Sequence, residues 1–264
     1  MVRKKKNEET ALAPKEETAL ANPSEELSKM YEEEDVSGDD ILISRVLLMQ
    51  GQSKLVEEEK ASPGQIVGSL EADVLAKSGE TIEIIPFHRH KSFRLFKDQP
   101  GGGKPLFVKE VPYDVKTAQW EKNKVREVEE DGEKLMCFIT WNYYVLLANQ
   151  IEGLPRMLSF SSTNFKMGKK LTTFTVEAKK AGLQLPFKTY KIGCEKTKNE
   201  KGNWFIYTVD KGRKTEDEEL KHVTYWAKMA KSGAVKVDEN IEETYVSEGE
   251  QRVERGEMKE GDEF

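Results

Sequence analysis

The chain has 264 residues, 37% hydrophobic and 34% charged, with a net charge of −6. That length suits one large domain or two small ones. Two unpaired cysteines, Cys137 and Cys194, exclude a disulfide-stapled secreted scaffold. No apolar run reaches the length of a membrane span, so the expectation is an intracellular protein with no membrane partner.

Charge is segregated along the chain. Residues 1–40 carry six basic and twelve acidic groups, residues 238–264 three and eleven, and residues 41–237 hold 33 and 25. A basic body between acidic ends fits a polyanion ligand, because a clustered positive field attracts phosphates.

Residues 1–40 read as a disordered low-complexity segment, with EETALA at Glu8–Ala13 and again at Glu16–Ala21. Order begins at Ile41, where ILISRVLLMQ is a β-capable run. Pro63–Leu70 predicts a turn and a short strand, and Thr81–Pro86 alternates. Phe87–Phe96 follows as an extended segment with Arg89, Lys91 and Arg94 beside Phe93 and Phe96. Gln99–Pro105 is a glycine-rich loop, and the polar stretch 106–133 reads as an insertion or long loop. Leu135–Ala148 is rich in aromatic and β-branched residues and predicts a central strand, with Leu154–Ser161 as another. A helix capped by Ser162 or Thr163 then runs through Phe165, Leu171, Phe174 and Ala178 to Gly182. Leu185–Cys194 and Gly202–Asp210 predict a hairpin around the charged loop 195–201. A last helix spans Thr215–Ser232, with a Thr215/Glu218 capping box and Gly233 as its stop. Residues 238–264 are too charged to fold alone.

Enzymatic signals are weak, with no Ser-His-Asp or Cys-His arrangement, and no enzyme is expected. His88 and His90 share one strand face, but His222 is remote and no cluster has zinc spacing, so neither a metal nor a cofactor is expected. The acids Glu127–Asp131 could serve a metal-dependent nuclease and read more simply as a solvated loop. Binding signals are stronger. Arg156–Lys214 holds fourteen basic and four acidic residues with eight aromatics interleaved. Unpaired nucleic acid calls for that pairing: cations track phosphates and ring faces stack on bases. The candidate contacts are Arg89, Lys91, Phe93, Arg94, Phe96, Lys166, Lys169, Lys170, Lys188, Tyr190, Lys191, Trp204 and Tyr207. Core packing is the competing reading for the aromatics, since about half the side chains of a strand face inward.

The acidic C-terminal segment ending Asp262-Glu263-Phe264, the low-complexity start and the basic β-rich body together resemble the single-stranded DNA-binding proteins of tailed bacteriophages and of bacteria. The blocks ILISRVLLMQGQS, PGQIVGSL and IEIIPFHRHKSF look like phage replication-module proteins. The resemblance implies a mainly β (α+β) domain at 41–237, an OB-fold-like β-barrel with insertions and one or two helices. It also implies an acidic tail, with Glu260, Asp262, Glu263 and Phe264 as its contacts, that recruits a polymerase, helicase or nuclease and competes with DNA. The tail here departs from that pattern, being diluted by Arg252, Arg255 and Lys259. The function implied is coating single-stranded DNA in phage replication or recombination, in the host cytoplasm, with a homodimer allowed. A recombination mediator or annealing protein, a nuclease and a phage structural protein are the alternatives.

Overall fold

A computed structural model describes residues 41–98, 105–182, 185–199, 202–232 and 235–237. The expectations for 1–40, for Gly233 and for the tail residues Glu260, Asp262, Glu263 and Phe264 lie outside the described residues.

The protein is mainly β. In chain order the elements are β1 (Leu42–Leu48), α1 (Lys54–Glu57), β2 (Ile66–Gly68), β3 (Val74–Ala76), β4 (Ile82–Lys97), β5 (Leu106–Pro112), α2 (Val115–Lys122), β6 (Glu127–Glu130) and β7 (Glu133–Leu147). Then come β8 (Arg156–Ser161), α3 (Phe165–Lys180), β9 (Lys188–Asn199), β10 (Gly202–Lys214), α4 (Asp217–Ser232) and β11 (Lys236–Val237). They build one mixed sheet in the order β10-β9-β4-β7-β8-β1-β2-β3, with β5 beside β4, β6 beside β7 and β11 beside β1. The β1–β8 and β1–β11 pairs are parallel; the rest are antiparallel.

Three cores follow from this layout. On one sheet face Ile84, Tyr143, Val145, Leu158, Phe160, Tyr190 and Tyr207 pack with Leu171 of α3. On the other, Ile43, Ile85, Phe87 and Leu146 pack with Val223 and Trp226 of α4. Large side chains buried this way contribute about 1.5–3 kcal/mol each. A third cluster, at the far ends of β4 and β7, joins Phe93, Leu95, Leu135 and Cys137 to Trp120 of α2. Burial pushes the Cys137 thiol up to about 12, so it stays protonated.

A β-bulge at Phe87, between Pro86 and His88, sets which face each β4 residue occupies. Beyond it Arg89, Lys91 and Phe93 lie on the same face as Ile84, while His88, His90, Ser92 and Arg94 turn to the other. That second face carries a buried polar cluster. Glu110 bridges Arg45 at 3.3 Å and Arg94 at 3.5 Å, and accepts from Ser92 and Asn142. Burial alone raises its carboxyl pKa, but Arg94, Arg45 and the two hydrogen bonds outweigh burial and hold it at about 2.

Several sequence expectations are corrected here. The sheet is not closed into a barrel, and no ladder joins β10 to β1, β2 or β3 among the described residues. β2 and β3, at one end of the strand order, are only three residues long. At the other end, side chains bond the outer edge of β10. Gln50 donates its amide to Phe205 O and accepts from Phe205 N, both at 2.9 Å, and Asn164 Oδ1 accepts from Tyr207 N at 2.8 Å. Gly64 fits under the same seam: its φ is +82°, and a Cβ there would stand 2.6 Å from the Phe205 ring.

The stretch 106–133 is no loop but β5, α2 and β6, held by Phe93 and Trp120. The hairpin ladder continues through the charged segment as far as Asn199 and Gly202. Asn164, rather than Ser162 or Thr163, is the N-cap of α3, and a short 3-10 turn at Ser162–Asn164 precedes the helix. The last helix starts after Glu216, whose N–H donates to Glu219, while Thr215 donates to Pro186 O instead of capping. Arg213 clamps Glu219 with two hydrogen bonds of 2.6 and 2.9 Å, which fixes that start.

Candidate nucleic-acid interface

The β4–β7 ladder opposes Arg89 to Tyr143, Lys91 to Trp141 and Phe93 to Ile139 on one face. Two helices cover the ends of this row. Tyr143 is sealed under α3, its hydroxyl paired with Thr172 at 2.6 Å. Phe93 is sealed under α2, with Trp120 edge-on at 5.5 Å. Arg89, Lys91 and Trp141 occupy the interval between.

Cations and rings interleave there. Arg89 stands 5.6 Å and Lys91 5.3 Å from the Trp141 ring centroid. Lys91 is also 5.0 Å from Tyr113, and Lys169 is 4.9 Å from Phe165. Phe165 meets Trp141 edge-to-face at 5.6 Å. Arg89, Lys166 and Lys169 are exposed, as is Tyr113, while Trp141 and Phe165 are half-buried. Glu121 answers Lys91 at 2.7 Å and accepts from the Tyr113 hydroxyl. Burial pushes its carboxyl up, but these hydrogen bonds and the charges of Lys91 and Lys169 bring it below the usual carboxylate range. Cation–aromatic contacts at an exposed site contribute about 0.5–1 kcal/mol each. They therefore orient the strip more than they stabilise the fold.

The sequence candidates divide. Arg89, Lys91 and Lys169 come together on this strip, and Lys166 is an exposed residue of α3. Phe93, Phe96, Tyr190 and Tyr207 are buried and fill cores, so none offers a free face for stacking. Arg94 is also interior, paired with Glu110. Trp204 is half-buried, on β10. Lys170 pairs with Asp210 at 3.4 Å on the other flank of α3, with Lys188 and the exposed Lys191 on β9 beyond it. Trp141, Tyr113 and Phe165 belong to the strip although the sequence did not single them out. Trp141 lay inside the most apolar run, and its distance of two residues from Tyr143 gave only a shared face.

On the opposite face His88 and His90 lie 6.1 Å apart, and His90 Nε2 is 3.2 Å from the Asn142 amide. Burial lowers the pKa of both rings. No group of three or more His, Cys, Asp or Glu side chains able to hold a metal is found among the described residues. Of the acids at 127–131, Glu130 pairs with Lys109 at 2.6 Å. No helix among the described residues is long and apolar enough to cross a membrane.

A family model described as Pam3 phage gp34-like protein matches residues 15–238. No curated protein and no solved structure matches the chain.

Proposed function

The chain belongs to the Pam3 phage gp34-like family, and we propose that this member binds single-stranded DNA along the Arg89–Lys91–Trp141 strip, without sequence readout, in phage replication or recombination. The observation that carries the reading is the convergence of Arg89, Lys91 and Lys169 on the rings of Trp141, Tyr113 and Phe165. Exposed or half-buried rings offer bases a stacking surface, and the cations beside them can track the phosphates. The strip lies on a sheet face flanked by helices and presents no element that enters a duplex groove. The net charge of residues 41–237 supplies the longer-range attraction.

In the same reading the rolled sheet is an elaborated, incompletely closed OB-type barrel, supported by one core shared among β1, β2, β4 and β7–β10. The acidic segment 238–264 would meet replication or recombination proteins. Fluorescence anisotropy with a labelled oligonucleotide tests the strip. Trp141→Ala is expected to weaken binding about fivefold to a hundredfold, the range of one base–aromatic stack. Unchanged affinity in a folded Trp141→Ala protein removes the strip from the interface.

A further inference from the structure

Cations and rings meet a second time, on the far flank of α3. Phe174, Glu177, Ala178 and Ala181 face Lys188 and Tyr190 of β9 and Lys211 of β10 across a shallow cleft of about 100 Å³ that opens to solvent. Its floor is unusual. Tyr190 is only 1% exposed and stacks with Phe174, centroids 6.5 Å apart. Yet the Tyr190 hydroxyl has no hydrogen-bond partner among the described residues. Burying a hydroxyl without a partner is destabilising, so such a group at a cleft points to a ligand that satisfies it. Burial raises its pKa to about 12, which keeps it a hydroxyl able to donate or accept.

The rim narrows the ligand class. Lys211 Nζ stands 4.7 Å from the Phe174 centroid while pairing with Glu177 at 2.7 Å, and Lys170 stands 5.6 Å from the same ring. Lys188 completes the rim. Asp210 pairs with Lys170 and Glu177 of the lining pairs with Lys211, so Lys188 carries the positive charge of the rim that no carboxylate answers among the described residues. An apolar molecule would leave the Tyr190 hydroxyl unsatisfied, and a bare anion would make no use of the rings. A flat, hydrogen-bonding group joined to a phosphate uses all three features.

We propose that this cleft is a nucleotide subsite. The base lies against Phe174 with its edge on the Tyr190 hydroxyl, and the phosphate sits at Lys188 and Lys211. In taking the nucleotide from a bound strand, the proposal rests on the function proposed above. α3 carries both Phe165 of the Trp141 strip and Phe174 of the cleft, with the exposed Lys166 and Lys169 on the same helix.

The test uses the full chain and two probes, a free deoxynucleoside monophosphate and an oligonucleotide scanned with single abasic sites. Tyr190→Phe removes only the hydroxyl. It is expected to leave thermal stability equal or higher, and to weaken binding about threefold to tenfold at the cleft. The scan is expected to find one position where losing the base weakens wild-type binding and has no further effect in Tyr190→Phe. Lys188→Gln is expected to weaken the same step. If the oligonucleotide binds with no such position and the monophosphate does not bind, the subsite falls while the strip stands. If the monophosphate binds in a Tyr190-dependent way and the oligonucleotide does not bind, the subsite stands and the strip falls. No binding of either probe removes both. Lower stability of Tyr190→Phe overturns the subsite too, because the hydroxyl would then have an internal role.

Discussion

Glu110→Gln perturbs the buried charge cluster that joins β1, β4, β5 and β7. The Glu110 carboxyl is held at about 2 against an ordinary value of 4.5, by Arg94 and Arg45 acting against burial. At about 1.4 kcal/mol per unit, the difference corresponds to roughly 3 kcal/mol of folding stability. Because the folded value is depressed, that stability is fully present above about 4.5 and is lost as the pH falls toward about 2. Gln keeps the shape and the contacts to Ser92 and Asn142 but leaves Arg45 and Arg94 without their shared charge. Urea unfolding followed by tryptophan fluorescence reads the effect. With a slope of about 2 kcal/mol/M, the variant midpoint at neutral pH is expected about 1.5 M below wild type. Near pH 3 the gap is expected to shrink to about half, since the carboxyl of the unfolded chain is then protonated while the folded one still holds its charge. An unchanged midpoint at neutral pH, or a gap independent of pH, would refute the assignment of Glu110 as the charged centre of this cluster.

Other outcomes follow from single contacts. Gly168→Ala places a Cβ 2.8 Å from Phe160 Cβ in the core, so a melting experiment should show a loss of about 1–3 kcal/mol. Gln50→Ala removes both hydrogen bonds that cover the Phe205 edge of β10. It should cost about 1–3 kcal/mol, and light scattering should detect increased self-association through the bared strand. Glu121→Gln releases Lys91 from its ion pair and should tighten oligonucleotide binding, most visibly at low salt. Arg89→Gln should weaken binding to all sequences alike and reduce the salt slope by about one.

Long, strongly patterned segments were legible in the sequence. Leu135–Ala148 announced β7, and the spacing of Phe165, Leu171, Phe174 and Ala178 announced α3. Residues 106–133 were not, because β5, α2 and β6 are short and mostly exposed. They owe their order to Phe93 and Trp120, which lie 27 positions apart in the chain. Composition located the cationic and aromatic residues but not their orientation. The bulge at Phe87 reverses the strand's alternation, so Arg89 and Lys91 share a face with Ile84 and Arg94 does not. The same limit hid Trp141. Only the β4–β7 register brings it against Lys91, and only the packing of α3 sets Phe165 at its edge.

Binding of a single-stranded oligonucleotide and its duplex, titrated side by side at one salt concentration with wild type and Trp141→Ala, tests the proposed function most directly. We expect wild type to prefer the single strand, and Trp141→Ala to lose most of that preference while keeping a salt-sensitive residue of charge-driven binding. Equal affinity for both forms in wild type, or no binding to the single strand, would contradict it.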